Sequence, residues 1–413
     1  MRNILKFLIT FIFCLLSVLY SQTVSPLIPE LIDQVNIDNL IRHVRILSGE
    51  ESVRINRVNT IITSRQLGHP DHDMAAEYLK ATFKEYGYSP VEQQFYFGTD
   101  EVCNLLATLR GKQYPNKKYI LCAHYDSINL LNNEPAPGAD DNASGIAAVL
   151  EAARILKNIE TDYTIVFALW DAEEKGLWGS EHYAFNAARD NDTIRGVINL
   201  DMIAYDPDDK QLFSINTDDY ANSIDLGNSI YSISNTYIDS LQPIIYYPGS
   251  TQSDHRKFWE HGYSAVFIGE AFRHGADYPF NHYSTDTIDK FNFKFFHNMS
   301  KLALATITVL ANIHVSDVEA ESPFVLNNFS LEQNYPNPFN ASTVIRYSLP
   351  HSSYTTLILY NLIGEEVAVL VQKVQPTGFH QVHLNVSDLP TGVYIYQLQQ
   401  EENISSRSTL LIK

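Results

Sequence analysis

Residues 119–127 read Tyr119-Ile-Leu-Cys-Ala-His124-Tyr-Asp126-Ser127, and residues 163–176 read Tyr163-Thr-Ile-Val-Phe-Ala-Leu-Trp170-Asp171-Ala-Glu173-Glu174-Lys-Gly176. Each opens with an apolar run of strand length, the pattern of a strand buried on both faces, and breaks off into imidazole or carboxylate residues. A third run, Gly196–Leu200, ends at Asp201-Met202. Segments of helical length, Gly145–Leu156 and Glu181–Ala188, separate the three. This alternation implies an α/β fold: a doubly wound, mostly parallel sheet with helices on both faces. Ligands of such sheets bind beyond the carboxyl ends of the strands, where these polar residues fall.

The pattern extends in both directions. Upstream, residues 36–90 read as helical, ending with the amphipathic run Met74–Tyr86 before Gly87, and strand signals follow at 91–97, 102–109 and 118–123. Downstream, helices near 219–234, 254–261 and 290–313 alternate with strands near 242–247 and 264–268. After residue 314 the helical period vanishes. A polar stretch at 316–328 reads as a linker. Short β-branched and aromatic runs then recur at 343–348, 354–360, 366–374, 379–385, 393–399 and 405–412, the signature of a small C-terminal β-sandwich. The expected organisation is a segment 1–21, a catalytic domain 22–315, the linker 316–328 and the sandwich 329–413.

Residues 1–21 have a short basic start, an apolar core from Phe7 to Tyr20 and a small residue, Ser21, at the end. That is the layout of a secretory signal peptide, and its apolar run falls short of the roughly 20 residues a spanning helix needs. No later stretch is long and apolar enough to anchor the chain stably in a bilayer. The 413 residues carry a formal charge of −19. Such a surface repels phosphate backbones and argues against nucleic-acid binding. Three cysteines are too few for a disulfide scaffold. Cys14 lies in the leader. Cys103 and Cys122 read as small buried hydrophobes, with a disulfide between neighbouring strands as the alternative.

The chemistry gathers at the predicted strand ends. His124 and Asp126 follow one strand, Asp140-Asp141 open a helix, Glu173-Glu174 follow a second strand, Asp201 a third, and Asn281-His282-Tyr-Ser-Thr-Asp286-Thr287 comes later. Mixed imidazole and carboxylate donors suit zinc. Two metals sharing a carboxylate bridge need about five ligands, and His124, Asp140, Glu174, Asp201 and His282 supply that number. Glu173 is placed to act as a general base toward water. Asp126 could accept the second ring N–H of His124.

In this order, HYDS, GADDNASG, AEEKG, LDM and HxxxDT resemble the zinc-dependent exopeptidases of the bacterial leucyl aminopeptidase superfamily, peptidase clan MH, over about residues 40–312. The resemblance implies two Zn2+ ions, one on His124 and Asp201 and the other on Glu174 and His282. It implies Asp140 as the bridge with a cis peptide to Asp141, and Glu173 as the catalytic glutamate. Ser253-Asp254-His255 matches a supporting motif, and Asp126, Asp141, Ser253 and Asp254 would stand behind the ligands. Some secreted relatives place an oxyanion-stabilising tyrosine where this chain has Ser250; Tyr246 and Tyr247 are the nearby substitutes.

The implied activity is aminopeptidase action on peptide substrates. A carboxypeptidase of the same superfamily would need a cation such as Arg273. A single-zinc glutaminyl cyclase or a non-catalytic binding module would not need the full ligand set. Phe329-Ser-Leu-Glu-Gln-Asn-Tyr-Pro-Asn-Pro-Phe-Asn340 and the strands after it resemble the type IX secretion sorting domain. That resemblance implies the outer-membrane type IX machinery as partner. It also implies a secreted or cell-surface destination reached through the periplasm of a Gram-negative bacterium.

Overall fold

The computed structural model describes residues 27–131, 135–272, 278–314, 329–331, 333–334, 337–351, 353–375, 378–386 and 389–413. The leader 1–21, the linker 316–328 and Arg273 lie outside them. The chain divides into two compact units, one up to residue 318 and one from 319 onward.

The first unit is built on one sheet of eight strands: β1 (Val91–Phe97), β2 (Asp100–Leu109), β3 (Tyr114–His124), β4 (Tyr163–Trp170), β5 (Thr193–Leu200), β6 (Leu212–Asn216), β7 (Gln242–Tyr246) and β8 (Ala265–Glu270). Their spatial order is β7-β6-β8-β5-β3-β4-β2-β1. The central strands β8, β5, β3 and β4 run parallel to one another. β6 opposes β8, and β2 and β1 close the other edge as an antiparallel pair. β7 pairs parallel to β6, so four of the seven pairings are parallel and the sheet is mostly parallel with antiparallel additions toward its edges. Position explains the textures: β8 is buried at every residue, whereas edge strand β1 exposes most of its own.

The helices fall close to their sequence signals. α1 (Leu27–Ile32) and α2 (Ile37–Leu47) precede α3 (Pro70–Glu85). α3 begins with proline at the position where its missing N–H costs nothing and stops before Gly87 at φ 89°. α4 (Gly145–Leu156), α5 (Trp178–Arg189), α6 (Ser223–Tyr237), α7 (His255–Glu260) and α8 (Phe293–Leu310) complete the set.

Two features depart from expectation. The segment 36–90 is not continuously helical, because a hairpin pairs Val53–Ile55 with Val58–Thr60. Its turn residues Asn56 and Arg57 both adopt positive φ, and without the usual glycine the hairpin signal is weak. Strand β6 is a five-residue run beside an acidic loop, too short to stand out by period. The two cysteines are unpaired: β4 lies between β2 and β3, so Cys103 and Cys122 do not sit on adjacent strands.

The second unit holds β9 (Ser342–Leu349), β10 (Ser353–Tyr360), β11 (Glu366–Gln375), β12 (Gly378–Asn385), β13 (Gly392–Gln400) and β14 (Asn403–Leu411). One sheet joins the short run Ser330–Leu331 to β9 and β12, and the other has the order β11-β10-β13-β14, all antiparallel. Leu331, Ile345, Tyr347, Leu357, Tyr396 and Leu411 contribute to its own core.

Candidate metal centre

The parallel strands deliver their polar residues to one edge. His124 is the last residue of β3, Glu173 and Glu174 follow β4, and Asp201 follows β5. The donor atoms of His124, Asp141 and Asp201 lie within 4.8 Å of one another, as do those of Asp141, Glu174 and His282. The two triads share Asp141. Its Oδ1 is 3.1 Å from Nε2 of His124, and its Oδ2 is 3.1 Å from Nε2 of His282. The outer carboxylates complete the pattern, with Asp201 Oδ1 3.5 Å from His124 and Glu174 Oε2 3.1 Å from His282.

This corrects the expectation at the double aspartate. Asp140 belongs to neither triad. Its carboxylate accepts the backbone N–H of Ala204 at 3.1 Å and packs near Glu270. The cis peptide likewise falls between Asp141 and Asn142, not between Asp140 and Asp141. The physical reason is the turn: Gly138 sits at φ 53°, and the residues after it swing Asp141, rather than its neighbour, between the two imidazoles. A side chain at 138 would meet the carbonyl oxygen of Asp141 at 2.3 Å, so only glycine fits.

The electrostatics follow from burial and proximity. Burial alone would raise the Asp141 carboxyl, but hydrogen bonds from His124 and His282 hold it well below the usual carboxylate range. Burial opposes a charge on His282, yet its contacts with Asp141 and Glu174 lift it to about 10. Burial raises the Glu174 carboxyl to about 7, with the Asp141 charge adding to the rise. Glu173, half-buried beside His124 and Glu174, is also pushed well above its ordinary value, first by burial. Asp201 Oδ1 and Glu174 Oε1 are among the buried acceptors that find no hydrogen-bond donor among the described residues, as are Asp140 Oδ2 and both carboxylate oxygens of Asp254. Leaving such atoms unpaired is costly, and the first two belong to the triads. Hard and borderline oxygen and nitrogen donors in this arrangement fit a pair of divalent cations bridged by one carboxylate.

The supporting residues are legible too. Asp126 accepts the backbone N–H groups of Glu173 and Glu174 at 3.0 and 3.1 Å, which fixes the turn after β4. The nearest partner of His124 Nδ1 is the carbonyl of Asp126 at 3.2 Å, with the carboxylate farther off at 3.5 Å. Ser253 donates to Asp201 Oδ2 at 2.6 Å and is itself held by Asn199 at 2.7 Å. Asp254 is fully buried, and burial raises its carboxyl to about 7. Ser250 is engaged with its own loop, the Tyr247 hydroxyl binds Asp219, and Tyr246 packs edge-on against Phe272. Burial drives the Cys103 thiol up to about 12 and raises that of Cys122, which leaves both inert as nucleophiles. Sequence reasoning gave no role to Arg65, Glu270 or Asp286. Asp286 lay inside a quoted motif, but Arg65 carries no local signal.

The mixed α/β sheet thus gathers imidazole and carboxylate donors suited to zinc at its carboxyl edge. Residues 104–307 match the model of peptidase family M28, and residues 333–413 match that of the secretion system C-terminal sorting domain. It is similar to a "Probable zinc metalloprotease" of Pyrenophora tritici-repentis, with 29% identity over 52% of this chain and 58% of the relative. It is also similar to "Leucine aminopeptidase 1" of Blastomyces gilchristii, with 31% identity over 50% of this chain and 56% of the relative. The chain thus spans little more than half the length of these curated relatives. Among solved structures, the LapA aminopeptidase of Legionella pneumophila superposes with a TM-score of 0.60 at 25% identity, covering 71% of this chain and 76% of that one. A glutaminyl cyclase of Fimbriiglobus ruber shares the fold at 21% identity and a TM-score of 0.53, covering 66% of this chain and 95% of that one.

Proposed function

We propose that the first unit is a di-zinc aminopeptidase and that the second directs its export. The observation that carries the reading is Asp141, placed 3.1 Å from each of two imidazoles that belong to different triads. His124, Asp141 and Asp201 would hold one zinc, and Asp141, Glu174 and His282 the other. When bound, the two ions would supply Lewis acidity toward a water molecule and the scissile carbonyl.

The remaining steps belong to the side chains. Glu173 is no member of the two triads that share Asp141, and Asp126 fixes its backbone. Its carboxylate would take the proton of the attacking water and return it to the leaving amine. Ser253 would keep Asp201 turned toward His124 through its 2.6 Å hydrogen bond. The sorting resemblance of residues 333–413 supports type IX secretion to the cell surface or medium.

A panel of free and N-acetylated aminoacyl amides tests the activity. Free amides should turn over and acetylated ones should not. Glu173→Gln should lower kcat by about 10²–10⁴-fold with zinc content unchanged. Turnover of acetylated substrates alone, or equal zinc loss in Glu173→Gln and Glu174→Gln, would contradict the reading.

A further inference from the structure

The turn that carries Asp141 is gripped on both of its polar sides by residues far away in the chain. Asp286 takes the N–H side: its carboxylate accepts from the backbone of Asp140 at 2.9 Å and of Asp141 at 3.1 Å, and Tyr278 donates to it at 2.5 Å. Arg65 takes the carbonyl side. Its Nη1 donates to Pro137 at 2.6 Å and to Leu47 at 2.7 Å, its Nη2 to Gly138 at 2.9 Å, and its Nε to Tyr125 at 2.8 Å.

Arg65 is fully buried, and all four of these contacts are main-chain carbonyls from three separate segments. Burying a guanidinium is expensive, so a site that does so gains something from the planar fork. The geometry shows what it gains. Tyr125 follows His124 directly, and Gly138 stands three residues before Asp141. One rigid group therefore sets the distance between the two loops that supply the shared carboxylate and one of its imidazoles. Ser127 closes the same joint, exchanging hydrogen bonds with the backbone of Arg65 at 3.1 and 3.2 Å and donating to Ala136 at 2.8 Å.

We propose that Arg65 is a positioning residue for the metal centre, holding His124 and Asp141 at bridging separation before any ion arrives. The proposal rests on the di-zinc reading. Lysine keeps the charge but offers a point donor instead of a fork, so charge and geometry can be separated.

The test titrates the metal-free full-length wild type, Arg65→Lys and Arg65→Met with Zn2+ against a chromophoric chelator, beside circular dichroism and thermal melting. The wild type should take up two ions. Folded Arg65→Lys should bind zinc about 10–100-fold more weakly, as loss of a ligand's supporting partner does. Its kcat should fall in step, while KM for a small aminoacyl substrate stays within about threefold. Folded Arg65→Lys with wild-type zinc affinity overturns the clamp, whereas a wild type that binds no zinc overturns the di-zinc reading itself. If neither variant folds, hydrogen exchange on the wild type decides. The amides of Arg65 and Ser127, which bond across the joint, should be protected equally with and without zinc; exchange at unstructured rates in the metal-free protein overturns the proposal.

Discussion

The carboxyl edge of the large sheet and the interior of the C-terminal sandwich bury polar groups in opposite ways. At the edge, His124, Asp126, Asp140, Asp141, Asp201, Asp254, Glu270 and Asp286 are all buried within one neighbourhood. In the sandwich, the buried polar residues among those described are Asn334, Thr343, Ser348, Thr355, Gln375, Gln400 and Thr409, none of them charged. Its buried tyrosine hydroxyls are closed locally: Tyr347 donates to Gln375 at 2.7 Å and Tyr396 accepts from the Asn334 backbone at 2.7 Å. Concentrated buried charge costs stability unless partners or ions satisfy it. The first unit accepts that cost at the proposed metal centre; the second, which matches a secretion sorting domain, concentrates no buried charge among its described residues.

The sharpest way to break this contrast is to exchange one charge at the edge. Asp141→Asn removes half of the bridge and should lower kcat/KM by about 10³-fold or more with loss of zinc. Asp140→Asn keeps an acceptor for the Ala204 N–H and should cost no more than about tenfold with zinc retained. Equal losses in the two variants would erase the distinction between the neighbouring aspartates.

Removing residues 329–413 probes the other side of the comparison. A unit with its own core should be dispensable to its neighbour's fold, so the shortened enzyme should keep kcat within about twofold while failing to leave the cell. Release at the normal level would contradict the sorting role, and loss of activity in pure form would mean the sandwich supports the site.

A smaller effect separates buried imidazoles within the first unit. His43, hydrogen-bonded to Tyr78 at 2.6 Å and Tyr86 at 3.0 Å, is pushed down to about 4 by burial. A depressed histidine stays neutral in the fold, so its contribution is complete above the unfolded value near 6.5 and drains away as pH falls toward about 4. His43→Gln should remove a pH-dependent loss on the order of 3 kcal/mol across that window. Parallel stability–pH curves for the two proteins in urea unfolding would refute the assignment.

What the sequence disclosed follows the strength of local signals. Doubly buried strands such as Tyr163–Trp170 and the six sandwich strands are loud, because apolar runs and turn residues bound them. His124, Glu174 and Asp201 each terminate or follow a recognisable strand, whereas His282 stands in a loop and is singled out only by the HxxxDT stretch; the structure brings the four together. Asp141 was not separable from Asp140, since the choice depends on a turn set by Gly138, Arg65 and Asp286, two of them distant in sequence. The hairpin at Val53–Thr60 and strand β6 were missed because short pairings are stabilised by tertiary partners, not by their own period.

Anomalous diffraction at the zinc edge from crystals of the zinc-loaded protein addresses the central claim directly. Two peaks about 3.5–4 Å apart, one beside His124 and Asp201, the other beside Glu174 and His282, with the Asp141 carboxylate between them, are the expected result. A single peak, or a bridge formed by Asp140, would contradict it.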